Sequence, residues 1–501
     1  MTSPIRSLLR LAAPSLTALR PAGLGPERIR LAAGLAALFL LGAGPSPGPP
    51  GLEIVPAPGL QVSKDAPGTR HVESVLAIDP RNPQRLVAAS MVLGEAGGIA
   101  VYASSDGGRS WRRGTRAPDG GSLFDGQDPS VTFGPDGTVY LLCLGDELAA
   151  WTSRDGGRRW GDRTVVPGSR WDRSWIRVGA GSRRAPRGRL FVAGKLPLTV
   201  FDHIVRDIAA LSTSDGPGTA FSFPRLLLPD PDEVSLNTVS DLVVAPDGRV
   251  ILTFQLFDLQ DFMAPLLSGS LMTIVSEDGG RTFTEPRPGP AFHAYGHGWE
   301  GKSLLGLGGG AMAIDTSGGP RDGRLYLTWV DAAGGFYRVM EASSDDGGAS
   351  WSSPVPVSGD DSRTDQSTPA IAVDGHGVLG ISWYDRRADP TDRCYQLHFA
   401  ASADGGRAFS AARRLDDRPT CPLAGRSSGR GSVDPVASGY RFKNGGDTQG
   451  LVGLPGGGFH LAWIGSGTEE LQLWSTAVAV RPEPTDAQGP ARTRSGAARA
   501  P

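Results

Sequence analysis

Ser104-Ser105-Asp106-Gly107-Gly108-Arg109-Ser110-Trp111 is the stretch that decides the fold, because its pattern recurs along the chain. The signature Ser-x-Asp-x-Gly-x-x-Trp/Phe returns at Ser153-Asp155-Gly157-Trp160, Ser276-Asp278-Gly280-Phe283, Ser344-Asp346-Gly348-Trp351 and Ser402-Asp404-Gly406-Phe409. A sixth, degenerate copy reads Thr213-Asp215-Gly216-Phe221, stretched by one residue and interrupted by Pro217. Neighbouring copies stand roughly 50 to 70 residues apart, the size of one four-stranded supersecondary unit. The chain is a repeat protein.

The signature has the chemistry of a hairpin turn. The carboxylates of Asp106, Asp155, Asp215, Asp278, Asp346 and Asp404 are placed to accept hydrogen bonds from turn N–H groups. The glycines supply positive φ, and the aromatic packs under the turn. Such a staple can be repeated many times without binding anything, so these residues are read as structural.

This string resembles the Asp-box, or bacterial neuraminidase repeat, of the sialidase-like β-propellers. The resemblance implies an all-β fold, a β-propeller of four-stranded antiparallel blades, with the boxes on outer turns away from the central pocket where sugars bind. It supports a fold more than an activity.

The rest of the sequence agrees with one all-β domain rich in turns: 71 of the 501 residues are glycine and 41 are proline. Charge is nearly balanced, at −2, with no long block of either sign outside the two ends, so nucleic acid is excluded as a partner. Arg6, Arg10, Arg20, Arg28 and Arg30 are opposed by Glu27 alone and precede an apolar run over 31–43 that ends in small residues. Residues 1–43 thus read as a secretory signal, with an uncleaved membrane anchor as the alternative; the run is shorter than the roughly 20 apolar residues of a membrane span. The expected location is secreted or periplasmic, membrane-tethered if the segment stays. Residues 44–58 read as a Gly/Pro-rich linker contributing a closing strand, 59–480 as the propeller, and 481–501 as a disordered tail. Cys394 and Cys421 flank the last box and are expected to form a disulfide in an exported chain, while Cys143, in an apolar run, reads as a buried thiol.

Each repeat divides into an inner strand, a second strand after an Asp-Gly or Gly-Gly turn, a third running into the box, and an outer strand. The second repeat places strands at 130–133, 138–144 and 147–153 around the turn Pro135-Asp136-Gly137, and the fourth uses Pro246-Asp247-Gly248. A last unit beginning at Gly450 has no box and is one strand short. Residues 52–55 are expected to supply that strand and so close the ring. The count favours seven blades, with the six of catalytic sialidases as the alternative.

Residues just before the inner strands converge on the channel mouth. Those positions hold Glu73, Gln127-Asp128, Asp172-Arg173, Asn237, Glu300, Asp365-Gln366 and Asp447, and the cluster Tyr384-Asp385-Arg386-Arg387 follows a second strand. The resemblance implies arginines clamping a carboxylate, a Tyr–Glu nucleophilic pair and an Asp acid/base. Arg173, Arg386 and Arg387 are the candidate clamp, Tyr384 or Tyr295 with Glu300 the candidate nucleophile, and Asp128 or Asp365 the candidate acid. Asp172, Tyr295, Trp299, Asp385 and Asp447 are candidate substrate contacts. The Arg-Ile-Pro string that carries the family's first arginine is absent, Phe223-Pro224-Arg225-Leu226 being the nearest, which places sialic acid itself in doubt. His293 and His297, with Tyr295 and Trp299, form either a substrate loop or an incidental surface loop. No metal and no cofactor is expected, a glycan is the expected partner, and a monomer is the expected state. The leading function is an exported sialidase-like glycoside hydrolase; the competing one is a non-catalytic propeller that binds a glycan or a protein.

Overall fold

The turns between successive apolar runs are short, and a short turn allows only an antiparallel return, so each strand pairs with its neighbour in sequence. The computed structural model describes residues 51–94, 97–180, 187–200, 203–227, 237–257, 264–295, 310–359, 361–421, 445–466 and 470–483. These strands form seven sheets. Blade 1 runs outward through Arg70–Ile78, Leu86–Leu93, Gly98–Ser104 and Arg112–Arg113, and blade 2 through Gln127–Phe133, Val139–Leu144, Leu148–Ser153 and Arg159–Val165. Blade 3 comprises Asp172–Val178, Leu190–Val200, His203–Ser214 and Arg225–Leu226; blade 4 comprises Asn237–Val244, Val250–Phe257, Leu266–Ser276 and Arg287–Tyr295. Blade 5 holds Ala311–Ile314, Leu325–Asp331, Arg338–Ser344 and Val355–Pro356, and blade 6 holds Gln366–Val373, Leu379–Asp385, Gln396–Ser402 and Arg413–Arg414.

Blade 7 closes the ring from both ends of the chain. Its strands Gly450–Gly453, Phe459–Gly465 and Gln472–Pro482 receive Leu52–Pro56 as the outer strand, with Leu52 opposite Pro482 and Pro56 opposite Val478. The protein is therefore an all-β, seven-bladed propeller of four-stranded antiparallel sheets. Ile54, on the closing strand, is buried with Leu397, Phe399, Phe459 and Val478 in the core between blades 6 and 7.

The repeated signature sits where the third strand ends, on the face opposite the start of the inner strands. In blade 1 the Ser104 hydroxyl donates to Asp106 Oδ1 at 2.8 Å and accepts the Gly108 N–H at 2.9 Å, while Asp106 Oδ1 accepts the Ser110 N–H at 2.9 Å. The same Ser–Asp and Gly–Ser bonds recur at Ser153, Ser276, Ser344 and Ser402. The degenerate copy differs from the alignment through Thr213. Ser214, opposite Leu190, occupies the place that Ser104 holds opposite Leu86. The staple carboxylate would then fall at Gly216, so Asp215 instead reaches Arg189, at 3.6 Å, and the Ser214 hydroxyl donates to the Thr219 carbonyl at 2.8 Å. Cys394 and Cys421 are joined by a disulfide, and Cys143 is buried.

Two outcomes follow from this architecture. Ile54→Ala is expected to cost about 2–4 kcal/mol, read as a lowered urea midpoint, because it opens a cavity at the seam of the ring. Slight burial raises the Asp106 carboxyl, but hydrogen bonds from Ser110 and Ser104 outweigh it and hold it at about 2; the Ser350 hydroxyl and N–H likewise hold Asp346 at about 2. Carboxyls depressed on folding stabilise the protein in full above the ordinary value of 3.8 and lose that contribution as pH falls toward 2. Asp106→Asn and Asp346→Asn are thus each expected to lower stability by about 1 kcal/mol at pH near 6, with the difference from wild type shrinking in melts taken as the pH is lowered from 4 toward 2.

Candidate active site

All seven inner strands start on one face, and in four blades the first turn of that strand is bulged in the same way. Register shifts fall at Val72/Ser74, at Gln127/Ser130, at Asp172/Trp175 and at Ser367/Ala370. At each bulge a residue other than glycine adopts positive φ: Glu73 at 54°, Asp128 at 50°, Arg173 at 46° and Thr368 at 53°. Each such residue costs about 1–3 kcal/mol, and strain of this kind concentrates at functional sites. In blade 7 Gly445 and Gly446, ahead of the inner strand, adopt φ of 83° and 87°, and the Gly445 carbonyl accepts the Glu73 N–H at 2.8 Å.

The bulges turn charged side chains toward the axis. Glu73, Asp128, Arg173, Trp175, Asp447 and Thr448 line one cavity at the mouth. Arg173 of blade 3 ion-pairs with Asp447 of blade 7, spanning the mouth. Asp172 lies 2.8 Å from Lys195 and is also hydrogen-bonded to Asp128. Burial raises the Asp172 carboxyl, but Lys195 and Arg173 outweigh it and hold it below the ordinary range.

Below the mouth the channel widens to a cavity of about 390 Å³, within the range of small-ligand sites. Its walls include Arg177, whose guanidinium lies 2.7 Å from Asp241 and 5.4 Å over the Trp175 ring. Asp241 is buried and accepts the N–H groups of Leu242 at 2.7 Å and Met312 at 3.1 Å; burial raises its carboxyl despite Arg177. Ser174 Oγ, Trp175 Nε1 and Thr448 Oγ1, all on residues lining the mouth, are buried and make no hydrogen bond among the described residues. A polar ligand in the mouth would offer these atoms partners.

The site thus unites Asp128, Asp172, Arg173 and Asp447 of the sequence candidates and leaves others elsewhere. Tyr384 is a core residue, not a nucleophile: it is fully buried, its hydroxyl accepts the Ile464 N–H at 3.0 Å, its ring lies 4.4 Å from Tyr395, and burial pushes its phenol up. Tyr295 is also buried, packed edge-on against Tyr337 with its hydroxyl on the Gly335 carbonyl. Asp385 accepts Arg387 at 2.6 Å and Trp383 Nε1 at 2.7 Å, so the Arg387 charge is used within the cluster. Burial would raise Asp385, but Arg387 holds it low. Arg386 is buried and donates to the Asp392 carbonyl at 3.0 Å, and Asp365, fully buried, accepts the Tyr337 N–H at 3.0 Å. Arg173 therefore stands at the mouth without Arg386 or Arg387, and the three-arginine clamp is not assembled. Trp299, Glu300 and His297 lie outside the described residues. His293 Nδ1 is 3.0 Å from Asp331, and among the described residues no group of three or more metal-ligating side chains is gathered.

Sequence reasoning placed Glu73 at the channel mouth without giving it a role, and did not single out Thr368, Trp175, Arg177 or Asp241 as site residues. The available signal was the polar residue followed by Ser or Pro just before each inner apolar run: Glu73-Ser74, Asp128-Pro129, Arg173-Ser174 and Thr368-Pro369.

No family model and no curated protein matches the chain. Among solved structures it is similar to a protein of unknown function from Dyadobacter fermentans, at 11% identity and a TM-score of 0.47 over 85% of this chain and 99% of that one. It is also similar to the leech intramolecular trans-sialidase, at 14% identity and 0.40 over 83% and 69%, and to an α-L-arabinofuranosidase from Fusarium graminearum, at 12% and 0.41 over 70% and 92%. Those activities belong to those proteins.

Removing one member of the deep ion pair tests the channel electrostatics. Arg177→Leu strands the Asp241 carboxylate and is expected to cost about 3–5 kcal/mol at neutral pH. Because protonation relieves a stranded carboxylate, the loss relative to wild type should shrink in urea melts as the pH is lowered through the raised Asp241 value.

Proposed function

We propose that the protein is an exported glycoside hydrolase working at the channel mouth on a sugar that carries no carboxylate. The neighbouring carboxyl groups of Asp128 and Asp172 carry this reading. They stand together, Asp172 held ionised by Lys195 and Arg173, at the mouth of a cavity large enough for a sugar ring. Asp128 would protonate the glycosidic oxygen. Asp447, set by Arg173 within the same mouth, would face the positive charge that develops on the anomeric carbon or activate water against it. Trp175 offers an aromatic face with a donor for hydroxyls, and Ser174 and Thr448 add hydroxyl partners. Glu73, Asp128, Asp172 and Asp447 outnumber Arg173 and Lys195, which favours a cationic transition state and disfavours an anionic sugar. Export is supported by the arginine-led apolar segment before residue 44 and by the Cys394–Cys421 disulfide, which suits an oxidising compartment.

The Arg173–Asp447 pair, which spans the mouth, favours a second reading: a propeller that binds a glycan without cleaving it. A panel of fluorogenic glycosides of neutral sugars separates the two. Turnover is expected on at least one, and Asp128→Asn should lower kcat by about 100-fold or more while the circular dichroism spectrum is unchanged. Absence of turnover across the panel with folded protein would leave the binding reading in place of the enzyme.

A further inference from the structure

The rim between blades 6 and 7 holds a cleft of about 260 Å³, lined by Gly59, Asp416, Thr420, Trp463, Gly465 and Trp474. Past Asp416 it continues into a groove of about 710 Å³ running along Pro56 and Arg414. Neither shares a lining residue with the channel or its mouth.

Two indoles form one wall. Trp463 and Trp474 lie with ring centroids 6.4 Å apart and planes 28° from parallel; Trp463 is buried, whereas Trp474 is half-buried and fixed by its Nε1–H on the Gly465 carbonyl at 3.2 Å. Two glycines keep the space beside them open. A Cβ on Gly59 would stand 3.3 Å from Trp463 Cη2, and one on Gly465 would stand 3.1 Å from Trp463 Nε1 and 3.4 Å from Trp474 Cδ1. The facing wall is rigid: the Tyr395 and Thr420 backbones exchange hydrogen bonds at 2.9 and 2.8 Å beside the Cys394–Cys421 disulfide. On that wall Asp416 Oδ2 accepts the Leu397 N–H at 3.0 Å, while Asp416 Oδ1 is buried and makes no hydrogen bond among the described residues. A buried carboxyl oxygen in that state calls for a donor. Burial raises the carboxyl to about 7, so near neutral pH it can accept a hydroxyl or offer one.

We propose that this cleft is a second carbohydrate-binding site, in which one uncharged sugar ring of a glycan packs on the Trp474 indole and hydrogen-bonds through a hydroxyl to Asp416. A flat apolar face with a polar handle matches a pyranose, whose C–H face is apolar and whose rim carries hydroxyls. Asp416 and Asp417 are set against Arg418 in the cleft, so its lining carries no surplus of positive charge to hold an anion, and the adjoining groove gives the neighbouring sugars of a chain a path. The site is independent of the chemistry at the mouth.

Calorimetric titration of the full chain with cello-, xylo-, manno-, chito- and maltotetraose tests the proposal. Saturable binding of at least one is expected, weakened about tenfold or more by Trp474→Ala and by Gly59→Val, which fills the cleft but keeps the platform. Asp128→Asn should leave it unchanged. The proposal is overturned if no tetraose binds, if Asp128→Asn abolishes binding, or if the two cleft variants, with wild-type thermal transitions, bind as wild type does.

Discussion

The close approach of each blade to the one before it is the constraint on which the ring depends, and the second glycine of the repeated signature is what permits it. Gly157, at φ 88°, sits where a Cβ would be 2.5 Å from the Val87 side chain of blade 1. Gly406, at φ 88°, sits where a Cβ would be 2.6 Å from Glu341 of blade 5. Gly108 meets His460 of blade 7, Gly280 meets Phe191 of blade 3, and Gly348 meets Thr273 of blade 4 in the same manner. The aromatic of the signature reaches across the same seam: Trp111 Nε1 donates to Ser475 of blade 7 at 3.0 Å. The signature is thus an interblade joint as well as a turn staple, and its Asp and Ser hold the turn in the conformation that presents the glycine.

Two seams lack an intact joint and are made differently. Between blades 2 and 3 the degenerate copy puts Gly218 in the place of Gly108, and a Cβ there would meet no atom of the described residues within 4 Å. Between blades 6 and 7 the backbones themselves close up: a Cβ on Gly453 would lie 2.0 Å from the Val373 carbonyl oxygen, and one on Gly380 would lie 2.6 Å from the Phe459 ring. That last seam also carries the closing strand and the disulfide. The ring is completed where the chain's two ends meet, by main-chain pairing instead of by the signature.

This division explains what the sequence made legible. The joints demand particular residues at fixed local spacing, so the repeat could be read directly; the blade without a joint, and the donor of its outer strand, followed from a count that favoured seven and left six open. The mouth imposes no local spacing. Arg173 and Asp447 are 274 residues apart, and what brings them together is a backbone bulge whose occupant need only tolerate positive φ. Local charge density misdirected the reading toward Tyr384-Asp385-Arg386-Arg387. There Asp385 and Arg387, two residues apart, satisfy each other, and Tyr384 fills the space between blades 6 and 7. A dense charged string can neutralise itself, whereas Arg173 and Asp447, on different blades, meet only because the ring brings them together.

The bulges also bear on how the mouth would work. Glu73, Asp128, Arg173 and Thr368 are each held at positive φ by the sheet around them, and that cost is met in the folded state before any ligand arrives. A ligand entering such a site does not have to order it, which is the condition for electrostatic stabilisation without reorganisation. It does have to compete with the Arg173–Asp447 pair. The pair is half-buried, so breaking it without replacement would leave a poorly hydrated charge on each side. Ligand hydroxyls that both accept from Arg173 and donate to Asp447 would replace the pair's hydrogen bonds at both ends, whereas a purely apolar group would replace neither. On the function proposed above, the pair would thus favour a polyol over an apolar molecule.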